Sequence, residues 1–215
     1  MKKLFFTVLG LLFVVLGFAQ QRDPKAKALL DEVSAKFKSY KSVMVNFAYQ
    51  INNSAGKVLS KKTGTVQMKG NKYIIDLGSN KIISDGETIW NYDPAAKEVT
   101  VNSASASDNT ITPQKLYTDF YSKDFMYAMQ KDDKVGGKAV NKVVLQPIDK
   151  SKPVSLIYLA IDKATKNIIG ATIVEKSGNR YIYSVSDFKT NVAASDANFT
   201  FDASKYPGVE VIDLR

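Results

Sequence analysis

Between Pro24 and Tyr40 the apolar positions Ala26, Leu29, Leu30, Val33, Phe37 and Tyr40 recur three or four residues apart, with Lys, Asp and Glu between them. A single apolar stripe at that period predicts an amphipathic helix. Asp23-Pro24 supplies an N-cap and a proline at the first helical position. The period then changes to two. Val43, Val45, Phe47, Tyr49 and Ile51 alternate with Met44, Asn46, Ala48 and Gln50, which predicts a strand. Turn formers at Asn53–Gly56, Gly70-Asn71, Gly78–Asn80, Asp85-Gly86 and Asp93–Ala96 divide the following stretch into further strands: Lys57–Lys69, Lys72–Leu77, Lys81–Ser84, Glu87–Tyr92 and Lys97–Asn102. Six strands joined by short turns make an antiparallel meander.

Ser103–Asn109 is small and polar, a loop. Thr112-Pro113 repeats the cap-plus-proline start, and Leu116, Tyr117, Phe120, Phe125, Met126 and Met129 predict one or two short helices reaching about Lys131. After a loop at Asp132–Gly137, strands resume at Lys138–Gln146, Pro153–Asp162, Lys166–Lys176 and Asn179–Lys189. Phe199-Thr200-Phe201 is a short piece, and Val209–Leu214 a last edge strand. A large antiparallel sheet with few helices has one economical arrangement: the sheet curls and the helices cover its concave face.

Upstream of this domain, Lys2-Lys3 precedes an apolar run from Leu4 to Leu16, and Gly17-Phe18-Ala19 supplies small residues after it. That is the layout of a secretory signal peptide over residues 1–19, cut after Ala19, leaving one domain over 20–215. A membrane anchor is the competing reading, but spanning a bilayer takes about 20 apolar residues. With no cysteine near the cut, no lipid-anchored N-terminus is expected. Without Lys2 and Lys3 the chain carries 28 basic residues against 21 acidic, a net charge of +7. The lysines are mostly single, densest at Lys61-Lys62 and Lys36/Lys38/Lys41. They read as a solvated surface, or as attraction to an anionic membrane or an acidic partner. An exported chain without a compact basic cluster is not expected to bind nucleic acid.

The chain has no histidine and no cysteine. That excludes histidine-based triads, cysteine nucleophiles and ordinary zinc sites, and leaves no disulfide to support the core. Carboxylate chemistry of the glycosidase kind would have to use residues such as Asp76, Asp85, Glu87 and Asp93. Asp85 and Asp93 each adjoin a turn former, Gly86 and Pro94, and turn chemistry accounts for them. The aromatics Phe47, Tyr49, Tyr73, Trp90, Tyr92, Tyr158, Tyr181 and Tyr183 all fall on predicted strands, where a packed core is the ordinary explanation.

The segment ISDGETIWNYDP, Ile83–Pro94, holds the only tryptophan of the chain. It resembles the signature of the periplasmic lipoprotein carriers, the LolA family. LLDEVSAKFKSYKSVMVNFAYQI (Leu29–Ile51), GKVLSKKTGTVQMKGNKYIIDL (Gly56–Leu77) and the stretch Ser177–Leu214 resemble that family's N-terminal helix and first strand, its next hairpin and its C-terminal end. The likeness covers nearly all of the chain after residue 19, and the order of the blocks carries it more than any one motif.

The resemblance implies a strongly curved, incomplete β-barrel with a helical lid, no enzymatic activity and no cofactor. It implies a monomeric periplasmic carrier that takes acylated lipoproteins from an ABC-type releasing complex in the inner membrane and delivers them to an acceptor at the outer membrane. On that reading Phe47, Tyr49, Tyr73, Ile75, Trp90, Tyr92 and Met126 are expected to contact acyl chains. Met44, Met68 and Met129 have the adaptable side chain such a site suits, and core filling explains them equally. In the family, a strand-end segment reads Arg-Pro-Asn, one residue, Phe, one residue, Trp, and its arginine latches the lid. Here the matching stretch is KGNKYII, with Lys69 in the arginine's place, Tyr73 in the phenylalanine's and Ile75 in the tryptophan's. Lysine lacks the planar fork of arginine, so Lys69 as a lid contact implies a weaker latch, or none of this form. A lipoprotein-sensing regulatory module of the same architecture stays open as an alternative, since fold does not settle function.

Overall fold

The computed structural model describes residues 22–104 and 120–215. Helix α1 spans Pro24–Lys38. Its start is fastened twice by one side chain. Asp23 Oδ1 accepts from the amides of Lys25 (2.8 Å) and Ala26 (3.4 Å), and Oδ2 accepts from the amide of Met129 (3.0 Å). The Asp23 amide in turn donates to the Tyr127 carbonyl at 3.0 Å. The N-cap therefore also docks the helix onto the sheet. Ala26, Leu29, Leu30 and Val33 form the buried stripe.

Twelve strands follow: β1 (Val43–Asn52), β2 (Val58–Lys69), β3 (Lys72–Asp76), β4 (Lys81–Ser84), β5 (Thr88–Asp93), β6 (Glu98–Ser103), β7 (Phe125–Val135), β8 (Lys138–Pro147), β9 (Val154–Asp162), β10 (Ile168–Glu175), β11 (Arg180–Thr190) and β12 (Glu210–Asp213). They build one open, curled sheet in the order β12-β6-β5-β4-β3-β2-β1-β11-β10-β9-β8-β7. Neighbours run antiparallel except β12, which lies parallel to β6. Helix α2 (Phe120–Asp124) leads into β7.

The α1 face carries the main core. Leu29, Leu30 and Val33 pack with Phe125 and Tyr127 of β7, Val143 and Leu145 of β8, and Ile157, Leu159 and Ile161 of β9. Full burial of each such side chain contributes about 1.5–3 kcal/mol. A second cluster joins Val43, Val45, Met68 and Tyr73, with Phe37 and Tyr40 packed against it. The strand ends form two rims. The turns β2–β3, β4–β5, β7–β8 and β9–β10 lie on one; β1–β2, β3–β4, β5–β6, β8–β9 and β10–β11 lie on the other. Helix α1 is held toward the first rim, where Lys36 Nζ donates to the Thr165 carbonyl (2.7 Å) and Lys166 pairs with Glu32 (3.4 Å).

Two expectations are corrected. Residues 125–131 are strand, not helix. Phe125, Tyr127 and Met129 point to the core at period two, while Phe125, Met126 and Met129 fit a helical spacing by coincidence. Pairing with β8 through the Gly136-Gly137 turn, both at positive φ, satisfies the backbone instead. Phe199-Thr200-Phe201 is not strand: Asp196–Phe199 and Ala203–Lys205 are single 3-10 turns. The helical start at Thr112-Pro113 lies outside the described residues, as does the segment 1–19. No helix among the described residues is long and apolar enough to cross a membrane.

Candidate functional site: an aromatic strip on the concave face

Beyond the reach of α1 the concave face continues without a cover among the described residues. Strand pairing defines that face. Phe47 lies across from Gly64 and Val185, Tyr49 from Tyr183, Ile51 from Tyr181, Val66 from Ile75, and Ile75 from Ile82. These residues share the face of Val43, Val45, Met68 and Tyr73, on which Phe37 and Tyr40 rest. Phe47, Tyr49, Ile51, Ile75, Tyr181 and Tyr183 are all only half-buried. The rings of Phe47 and Tyr49 stack with centroids 6.5 Å apart, and those of Tyr49 and Tyr183 at 6.1 Å.

Gly64 makes room for this strip. A Cβ there would sit 2.6 Å from the Asp76 carbonyl oxygen, 2.9 Å from Leu77 Cδ2 and 3.0 Å from Phe47 Cζ. Burial pushes the Tyr183 and Tyr73 hydroxyls above their ordinary pKa, so both stay neutral. The strip therefore offers apolar and neutral aromatic surface, apart from Lys62, which lies across from Tyr49 on the same face and donates to Ser79 Oγ at 3.1 Å.

The structure divides the residues expected to contact acyl chains. Phe47, Tyr49, Tyr73 and Ile75 share the concave face, Tyr73 being buried beneath the α1 end. Trp90, Tyr92 and Met126 alternate to the opposite face. Trp90 pairs with Ile83 and Val101, and Tyr92 with Val99, away from the Ile75–Ile82 row. The C-terminal segment packs here: the Tyr92 ring lies 5.4 Å from Phe201 and 4.6 Å from Tyr206. Met126 alternates with the core residues Phe125 and Tyr127, and Met44 with Val43 and Val45, so both leave the concave face. Met68 and Met129 remain on it. From sequence, Tyr181 and Tyr183 stand out only as strand aromatics and Ile51 only as an alternating strand position, none as an acyl contact, and Gly64 does not stand out. The alternation in Arg180–Tyr183 puts the two tyrosines on one face, but nothing local says which.

Lys69 also points to the outer face. Its Nζ lies 2.8 Å from Asp196 Oδ1 and donates to the Ala194 carbonyl at 3.1 Å, while Lys72 reaches Asp196 Oδ2 at 3.2 Å. Both lysines hold the C-terminal segment against the β2–β3 turn, and they lower the pKa of Asp196. A hollow of about 450 Å³ beside them is lined by Lys69, Lys72, Asp85, Glu87 and Asp196, with Asn71 and the glycines 70 and 86. Its charged wall is the wrong chemistry for hydrocarbon. Three of the four carboxylates considered for catalysis, Asp76, Asp85 and Asp93, have local roles. Asp85 accepts from the Glu87 and Thr88 amides (2.9 and 2.7 Å), and Asp93 from those of Ala95 and Ala96 (2.8 and 3.2 Å). Asp76 accepts from the Gly78 amide (2.9 Å) and pairs with Lys81, and those contacts lower its pKa.

Comparison with known proteins agrees with this architecture. The profile of the family described as outer membrane lipoprotein carrier protein LolA matches residues 38–202. An outer-membrane lipoprotein carrier protein of Glaesserella parasuis is 30% identical over 213 residues, covering 97% of this chain and 95% of the relative. One from Pasteurella multocida is 30% identical over 190 residues, covering 86% of each. Among solved structures, an uncharacterized conserved protein from Thermus thermophilus superposes with a TM-score of 0.60 at 11% identity, over 88% of this chain and 99% of that one. The lipoprotein LppX of Mycobacterium tuberculosis gives a TM-score of 0.52 at 16% identity, over 80% and 98%. At such identities these two speak for the fold alone. The sequence match over three quarters of its length decides the family: this chain belongs to the LolA family of outer membrane lipoprotein carrier proteins.

Proposed function

We propose that the protein is a periplasmic carrier that binds the acyl chains of lipoproteins in the concave aromatic strip and moves them from the inner to the outer membrane. The observation that carries this is the half-buried row Phe47–Tyr49–Tyr183 on the concave face of an open sheet. Each methylene withdrawn from water contributes about 0.8 kcal/mol, so several acyl chains need a continuous apolar bed rather than a few polar contacts. Stacked tyrosines suit the task, since they present broad apolar area and lose little conformational entropy. No covalent step is required. Cargo would be received from an ABC-type releasing complex, shielded by a monomer, and passed to an acceptor that binds it more tightly. Residues 1–19 would direct export and be removed after Ala19.

The test is direct. The exported protein is incubated with inner-membrane vesicles loaded with an acylated lipoprotein under releasing conditions. A soluble one-to-one complex is expected, with the lipid retained in native mass spectrometry. Failure to form it, with no lipid bound after gentle purification, would falsify the carrier reading.

A further inference from the structure

The β1–β2 hairpin projects beyond its neighbour. Strand β3 pairs with β2 only from Thr65 to Lys69, so Val58–Gly64 has a strand partner on one side alone among the described residues. At the projecting end Val58 and Leu59 are 50% and 57% exposed, among the most exposed large apolar side chains described. Lys57, Lys61 and Lys62 flank them along the chain and all three are exposed, Lys62 Nζ donating to Ser79 Oγ at 3.1 Å. None of these lysines forms an ion pair with a described residue. From Asn52 to Thr63 there is no acidic residue at all. Arg180, paired with Asn52 on the neighbouring strand, adds another exposed cation. The aromatic strip runs out toward this same rim, because Ile51 and Tyr181 lie at its end.

We propose that this hairpin end docks on the surface of an anionic phospholipid bilayer. Val58 and Leu59 enter the boundary between headgroups and acyl chains, and Lys57, Lys61, Lys62 and Arg180 pair with lipid phosphates. Charge selects this partner: a cationic tip with an apolar point is complementary to an anionic leaflet. A peptide adding to the free edge of β2 is disfavoured by Lys61 and Lys62, the residue type that natural edges use to prevent pairing. Docking does not depend on cargo binding, though it would place the open strip next to a membrane.

The test is flotation of the purified exported protein, free of cargo, with vesicles of phosphatidylcholine alone or mixed equally with phosphatidylglycerol. At low salt, binding to the anionic vesicles is expected to be at least about tenfold tighter, and to weaken as salt rises. The double substitution Lys61→Gln/Lys62→Gln is expected to weaken it about 25-fold, about fivefold per lysine. Val58→Ser/Leu59→Ser is expected to weaken it about tenfold. All four sites are exposed, so thermal midpoints should match the parent's. Equal flotation with neutral vesicles, or double variants that float like the parent, would overturn the proposal. So would self-association without vesicles that Val58→Ser/Leu59→Ser abolishes, which would make the hairpin a pairing edge. Cargo uptake on the same variants separates the two readings: a protein that floats yet takes no cargo sinks the carrier role and leaves docking standing.

Discussion

Tyr49 and Tyr183 face each other across the β1–β11 pair with ring centroids 6.1 Å apart and planes inclined by 28°. Both rings are half-buried, and neither lies under α1. They are the centre of the proposed acyl bed. Tyr49→Ser and Tyr183→Ser should each weaken binding of an acylated peptide about tenfold, from the apolar area lost. Leu159→Ala in the α1 core, only 2% exposed, should instead lower stability by about 2–5 kcal/mol. Titration calorimetry and urea unfolding on the three variants separate cargo contact from core. Cargo affinity unchanged in both serine variants would move the site elsewhere.

Gly64 should tolerate no side chain. The nearest atom to a Cβ there is the Asp76 carbonyl oxygen at 2.6 Å, which is backbone and cannot swing away. Gly64→Val should cost about 1–3 kcal/mol by overpacking and tilt Phe47 out of the strip. The urea midpoint reads the first effect and cargo affinity the second.

Trp90 lies on the face away from the strip, paired with Ile83 and Val101, both buried. As the only tryptophan it is a built-in reporter. Its emission maximum should stay put when acyl cargo binds. Trp90→Ala should cost about 3–5 kcal/mol in stability and leave the cargo affinity of the folded protein intact. A cargo-dependent blue shift would place hydrocarbon on the outer face.

The Lys69–Asp196 pair is open to solvent, with side chains 39% and 62% exposed. Asp196→Asn should therefore cost less than about 1 kcal/mol and lose even that at high salt. Phe199→Ala, a fully buried anchor of the same segment, should cost about 3–5 kcal/mol. Thermal melts with and without salt compare the two.

Asp23 is held below its ordinary pKa, chiefly by the Met129 amide and then by those of Lys25 and Ala26, which outweigh its desolvation. A depressed carboxyl stabilises the fold above its unfolded pKa of 3.8, and that contribution is lost as pH falls through the lower folded value. Acid should thus loosen the α1–β7 junction below about pH 4. Asp23→Ala should cost about 1–2 kcal/mol at neutral pH and flatten the acid limb. Tyr73 and Tyr183 run the other way. Burial raises their pKa, so their contribution is complete below about pH 10 and fades as pH rises through the folded values. Tyr73→Phe and Tyr183→Phe should flatten the alkaline limb of a thermal-midpoint profile.

Most of the fold was legible in the sequence, because helix and strand periods differ and turns announce themselves. The 3.6-residue stripe of α1 and the alternation of β1 to β6 needed no neighbour to be recognised. Alternation also settles which side chains share a face: Phe47 with Tyr49, Trp90 with Tyr92, Tyr181 with Tyr183. It cannot say which face turns inward, since both carry apolar residues. That was decided only when α1 packed over Val43, Val45 and Met68, and the pairing register carried the choice from strand to strand. The same register sent Trp90 and Tyr92 outward, where Tyr92 meets Phe201 and Tyr206. At 125–131, helical and strand spacings both fit the local residues, and pairing with β8 chose between them. Local period is a property of the chain; the inward face is a property of contacts between residues far apart along it.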